Sequence, residues 1–159
     1  MTVQRFPILE GRLSRQLNAV GQTAGLYYPC CVTLADDREI DCVYLADAKR
    51  WIREWGVWPS QDPGKQSIGL ESVVSLRDSP SRLPKRFAEE LYAAGESGMG
   101  YTIFTIVYAD GTHQACSNGN AIDFVSHPQS NPDLCPEDMK RSQSHCHLNR
   151  LGEYHQHKR

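Results

Sequence analysis

The residues best suited to chemistry lie towards the C-terminal end. Cys135 is followed by His145-Cys146-His147 and His155-Gln156-His157, and five of the six histidines come after Ser126. Thiolate and neutral imidazole are the usual zinc ligands, and two of each complete a tetrahedral site. Cys135, His145, Cys146 and His147 are therefore the candidate metal ligands, with His155 or His157 able to replace one of them, and zinc is the only cofactor the sequence suggests. The spacing counts against the site. Cys135 and Cys146 are much further apart than the two residues of a C-x2-4-C knuckle, and His-x-His brings two rings to one side only where the backbone is extended. A polar segment that happens to be rich in histidine is the competing reading.

The other reactive pairs are weaker. Cys30 and Cys31 are neighbours whose side chains face opposite sides of a strand, so they cannot readily share an ion, and core packing for one with edge exposure for the other is expected. His113 and Cys116 have the residue types of a base and a nucleophile, but three positions along a strand separates them onto opposite faces. Gly95-Glu96-Ser97-Gly98-Met99-Gly100-Tyr101-Thr102 resembles the phosphate-binding pattern G-x-x-x-x-G-K-[ST] except that Tyr101 stands where the lysine should be. A helix precedes it and a strand comes after, the reverse of the strand-to-helix context in which a helix N-terminus helps hold the anion. A glycine-rich helix end explains it better.

Two groups of residues suit a partner surface. Trp51, Trp55 and Trp58 lie beside Lys49, Arg50 and Arg53. Helical periodicity puts Trp51 and Trp55 on a core face and the basic residues on the solvated face, which leaves Trp58, next to Pro59, as the exposed anchor. Arg77, Arg82, Lys85 and Arg86 form a second basic cluster around a helix start, where positive charge opposes the macrodipole. Trp58, Arg82, Lys85 and Arg86 are the candidate partner-binding residues.

These residues must be positioned by an α+β fold. Cys30, Val32 and Leu34 alternate before an acidic turn at Asp36-Asp37, and Ile40, Cys42 and Tyr44 alternate after it. The segment 103–125 repeats that order. Ala35-Asp36 aligns with Ala109-Asp110, Cys42 aligns with Cys116, and Asp110-Gly111 between apolar strands is a strong hairpin signal. Cys42 and Cys116 are thus expected at equivalent buried positions. Leu9, Leu13, Leu17 and Val20 predict an N-terminal helix, and Asp47 caps a helix carrying Ala48, Trp51, Ile52 and Trp55 that Gly56 ends. Ile68, Leu70, Ser72, Val74 and Leu76 predict one face of a third strand, and Phe87, Leu91 and Ala94 a helix after Pro84. Asn120 is expected to cap a short helix through Val125. The tail is expected to be irregular with one helical turn near 137–141.

The organisation this predicts is an N-terminal helix plus first hairpin/helix unit (1–95), a second hairpin/helix unit (96–128) and an irregular His/Cys-containing tail (129–159). The two units are expected to pack around one core, as either small barrels, whose hairpins would resemble those of SH3-like barrels, or one fused sheet.

At 159 residues, with 40% apolar and 23% charged content, the chain has an ordinary globular composition. A net charge of -2 supplies no global field for nucleic acid or anionic membranes. Residues 1–7 lack a charged n-region followed by an apolar h-region, so no secretory signal is expected, no apolar run nears the roughly 20 residues needed to span a bilayer, and a cytoplasmic location with reduced thiols is expected. No complete catalytic set is present. The sequence therefore points to a non-enzymatic binding or adaptor protein whose partner is another protein, with a zinc-binding protein and a nucleic-acid-binding module as alternatives.

Overall fold

A computed structural model describes residues 8–24, 27–58, 68–119, 121–126, 133–134, 136–145, 147–148 and 154–155. The class is α+β: the described residues contain three α-helices, two separate three-stranded antiparallel sheets, neither closed into a barrel, and one two-stranded ribbon. Two compact units divide the chain, Met1–Ser79 and Pro80–Arg159.

In the first unit, α1 (Gly11–Val20) precedes β1 (Tyr27–Leu34), β2 (Glu39–Ala46), α2 (Ala48–Trp55) and β3 (Val73–Arg77), and the sheet order is β2-β1-β3. Leu13, Leu17 and Val20 of α1 pack on Cys30, Val32, Leu34, Val73 and Leu76, joined by Ile40, Val43, Leu45 and Leu70. In the second unit, α3 (Lys85–Ala94) precedes β4 (Thr102–Tyr108), β5 (His113–Asn118) and β6 (Met139–His145), in the order β5-β4-β6. Its core joins Leu83, Phe87, Ala88 and Leu91 to Phe104, Ile106, Tyr108, Ile122, Val125 and Met139.

Both units share one plan. The helix before the central strand packs against the last strand of its own sheet, α1 on β3 and α3 on β6. Each central strand ends in the same three-residue loop, a turn and then a left-handed residue. In the first unit Asp37 N–H donates to Leu34 O (3.0 Å) and Leu34 N–H to Arg38 O (2.8 Å). In the second, Gly111 N–H donates to Tyr108 O (3.1 Å) and Tyr108 N–H to Thr112 O (2.9 Å). The left-handed position is Asp37 (φ 64°) in one unit and Gly111 (φ 88°) in the other. An aspartate locks each loop by accepting the backbone N–H two residues on: Asp36 from Arg38 (3.2 Å) and Asp110 from Thr112 (2.8 Å).

The agreement extends to the third strands. Ala35 N–H donates to Ser72 O (2.9 Å) and Ala109 N–H to Asp138 O (2.8 Å). Ser72 and Asp138 each close a 3-10 turn, Leu70–Ser72 and Pro136–Asp138, that leads directly into the strand. The register slips at the same place in both sheets, between Thr33 and Leu34 against β3 and between Val107 and Tyr108 against β6.

Several sequence expectations change. The residues of α3, expected to belong with the first hairpin, lie in the second unit. Segment 121–126 is not helical, and the tail expected to be irregular supplies β6. The third strand begins only at Val73, and the slip that leaves Val74 unpaired in the ladder against β1 lets Val73 and Leu76 both turn inward while Val74 is exposed.

Cys42 and Cys116 are not equivalent. A bulge in the β1–β2 ladder lies opposite Cys31, where pairing jumps from Cys30↔Val43 to Val32↔Ile40. The extra residue flips the strand phase, so Ile40 and Val43 share the core face and Cys42 is exposed with φ 57°. Cys116, in an unbulged strand opposite Phe104, packs against the core. Cys30 and Cys31 are both buried, at 0% and 2% exposure, so neither occupies an exposed edge.

α2 forms as expected, with Asp47 Oδ1 accepting from Arg50 N–H (2.8 Å) and left-handed Gly56 donating to Ile52 O (2.9 Å). Its two tryptophans separate: Trp51 is 6% exposed and Trp55 is 49% exposed. Trp51→Ala should lower stability by about 3–5 kcal/mol, as for other large core aromatics. Trp55→Ala should cost below about 1 kcal/mol. Denaturant titration of both variants checks the contrast, and equal losses would place both rings in the core.

Candidate functional site

The surface that best combines order with an accessible aromatic is the C-terminal end of α2. The helix is bounded by its Asp47 cap and its left-handed Gly56 stop. Trp51 packs edge-on against Tyr27 with ring centroids 5.9 Å apart, and Tyr27 lies 5.1 Å from Tyr44. Trp55 rests on Trp51 at 6.2 Å. Beyond its half-exposed ring come Val57, 42% exposed, and Trp58, which is half-buried. Lys49, Arg50 and Arg53 of the same helix are exposed. Sequence periodicity misassigned Trp55 to the core. Trp55 lies one helical turn beyond Trp51 and meets its ring, yet it is half-exposed, and periodicity alone does not say how far a buried face extends along a helix.

The basic candidates of the second unit are split by their surroundings. Arg82 is 8% exposed, and the backbone around it is paired: Leu83 N–H donates to Asp123 O (2.7 Å) and Val125 N–H to Ser81 O (3.0 Å). Burial removes Arg82 from a free surface. Lys85 is exposed and 3.7 Å from Glu89, one helical turn on, while the Arg86 guanidinium lies 4.4 Å from the centre of the Phe87 ring. Arg77 belongs to the first unit, where it meets Glu39 at 3.2 Å.

A buried polar cluster escaped sequence reading altogether. Asp123 is 1% exposed and accepts from Tyr92 Oη–H (2.7 Å), while Ile122 N–H donates to the same Tyr92 oxygen (3.2 Å). Two β5 side chains hold the next residues: Asn118 Nδ2–H donates to Phe124 O (2.8 Å) and Gln114 Nε2–H to Ser126 O (2.9 Å). These bonds satisfy the backbone of a segment that belongs to neither helix nor sheet, as buried polar groups require. The available signal was a lone carboxylate among Ile122, Phe124 and Val125.

The glycine-rich run has no cradle for an anion. Ser97 N–H donates to Tyr101 O (3.0 Å), and the Ser97 hydroxyl accepts from Ile103 N–H (2.8 Å), closing a tight turn. Glu96 carboxylate accepts from Gly100 N–H (3.0 Å), placing negative charge where a phosphate would sit. A Cβ on Gly98 would run into the Tyr101 ring, which accounts for that glycine.

His113 and Cys116 lie on opposite faces of β5, paired with Val107 and Phe104 respectively. They cannot act on one substrate atom. Of the candidate zinc ligands, His145 ends β6 opposite Ile103, and His147 lies in β7 (His147–Leu148) paired with β8 (Tyr154–His155). Cys135 and Cys146 lie outside the described residues. Among the described residues, no group of three or more His, Cys, Asp or Glu is placed to hold a metal ion. No described helix is long and apolar enough to cross a membrane.

Cys30, Cys31, Cys42 and Cys116 are thiols. Burial pushes the Cys116 thiol up to about 11, and burial also raises Cys31, against the lowering effect of Arg77. The thiolate is the reactive form. Brief alkylation at pH 8 with subsequent peptide mapping should therefore modify Cys42 and spare Cys30, Cys31 and Cys116. The folded Cys116 thiol holds its proton more tightly than the unfolded one, so its contribution to stability is complete below about 9 and is lost as pH rises towards about 11. Rapid native labelling of Cys116 would contradict its burial.

Comparison with protein-family models, with characterised proteins and with solved structures finds no match to this chain.

Proposed function

We propose that the chain is an internal repeat of one helix-plus-three-strand unit, and that it acts as a non-enzymatic binding module whose partner is another protein. In this reading the contact surface is the end of α2, with Trp55 as its anchor and Val57 and Trp58 beside it. The single observation that carries the proposal is the half-exposed Trp55 ring supported from beneath by buried Trp51. A large aromatic that is ordered before binding costs little conformational entropy on association, and such residues dominate interface energies.

The comparison between the units supports this location. Both sheets share strand order, loop and register slip, but they differ in the connection between the second and third strands. That connection contains α2 in the first unit and the Asp123 segment in the second. Connections on a rigid scaffold are where binding residues commonly reside. A second reading, binding to nucleic acid, draws on the exposed Lys49, Arg50 and Arg53 of the same helix.

Replacing Val57 with a photo-crosslinking amino acid in cells should capture a discrete protein. The captured partner, once purified, should bind Trp55→Ala roughly 30-fold more weakly than wild type, equivalent to about 2 kcal/mol. The thermal midpoint of the variant should stay close to that of wild type, and Lys85→Ala with Arg86→Ala should bind normally. Undiminished affinity of Trp55→Ala would refute the surface. Capture of nucleic acid, with affinity falling steeply with salt, would replace the protein reading with the nucleic-acid one.

A further inference from the structure

The bulge between β1 and β2 sets two thiols against each other. Pairing passes from Cys30↔Val43 to Val32↔Ile40, so Cys31 faces the step Asp41-Cys42 on the neighbouring strand. Ile40 and Val43, on either side of that step, both join the core with Cys30 and Val32, whereas Cys31 lies near Asp41 and Arg77 on the other face of the sheet. Opposed residues on antiparallel strands have Cα atoms about 4.5–5.5 Å apart, inside the roughly 4.4–6.8 Å that a disulfide spans. The two positions also differ as an attacking and a resolving thiol differ: Cys42 is exposed, and Cys31 is 2% exposed. Cys42 holds φ 57° inside a strand, a conformation that few side-chain-bearing residues adopt and that recurs at functional positions. We propose that Cys31 and Cys42 form a redox modification site, which exchanges with a low-molecular-weight disulfide and closes an internal disulfide bond across the bulge.

The accessible thiol reacts first. Cys42 gives its proton to water, its sulfur attacks one sulfur of the small disulfide, that S–S bond breaks, and one small thiolate leaves and is protonated. Cys31 then loses its proton, and its sulfur attacks the Cys42 sulfur of the mixed disulfide, releasing the second small thiol. Two protein thiols are thereby oxidised to one disulfide while the small disulfide is reduced to two thiols. Burial raises the Cys31 thiol, with the Arg77 charge working the other way, so the second step is the slower one and quickens as pH rises.

The full chain is reduced, separated from reductant, incubated with oxidised glutathione at pH 8, quenched with acid and mapped by mass spectrometry without reduction. Trypsin cuts after Arg38, between the two thiols, and leaves Cys30 and Cys31 on one peptide, 16–38, with Cys42 on 39–49. Wild type should pass through a glutathione adduct on Cys42 and end with most chains carrying a crosslink between those peptides. Cys31→Ala should stop at the Cys42 adduct, Cys42→Ala should give neither product, and Cys30→Ala should close the crosslink as wild type does. Circular dichroism should show the variants folded, and fragment spectra of the wild-type crosslink assign the bonded sulfur without them. A lasting Cys42 adduct with no crosslink in wild type, a Cys42 that stays a thiol, a bond from Cys42 to Cys30, Cys135 or Cys146, or a bond between two chains would each overturn the pair.

Discussion

The loop that ends each central strand governs the placement of both neighbouring strands. A single left-handed residue and an aspartate three positions before the returning strand set the hairpin register, and the loop then presents the N–H of Ala35 or Ala109 to the carbonyl that closes the next 3-10 turn. One short stretch of backbone thus fixes the strands on either side of the central one. In each unit the helix before the central strand packs against the last strand so positioned. Asp37 holds the left-handed conformation that Gly111 adopts without steric penalty, which shows the geometry outranking residue preference at this point.

From this common frame the two units diverge where the backbone leaves the sheet. In the first, a capped helix fills the connection, and it buries one tryptophan while leaving the next on the surface. In the second, an irregular segment fills it, and side chains from α3 and β5 must supply the hydrogen bonds that regular structure would otherwise provide. In the second unit Asp123 and Arg82 are both withdrawn from solvent, whereas in the first the Trp55 ring stays half-exposed.

The thiols divide along the same line between scaffold and surface. Cys30 lies in the core of the first sheet and Cys116 against that of the second, and burial keeps Cys116 protonated. Cys31 occupies the opposite face of β1, near Arg77, Glu39 and Asp41, where opposing charges surround a buried thiol. Cys42 alone among the described thiols is exposed, because the bulge turns it out of the ladder.

Signals confined to a few neighbouring residues were legible in the sequence. The Asp47 cap, the Gly56 stop, the two acidic turns, and the opposed faces of His113 and Cys116 all depend on local geometry, and each appears as expected. The α+β class emerged from these. What depended on distant partners was not legible. The polar strand Met139–His145 forms because apolar β4 offers it a free backbone edge, and ladder hydrogen bonding does not require apolar side chains. The bulge at Cys42 breaks a regular alternation that nothing nearby in sequence interrupts. Trp55 and Arg82 exchanged their expected environments, because exposure is settled by which distant segments pack on a residue, as the 122–125 segment does beside Arg82, and only the tertiary structure determines that.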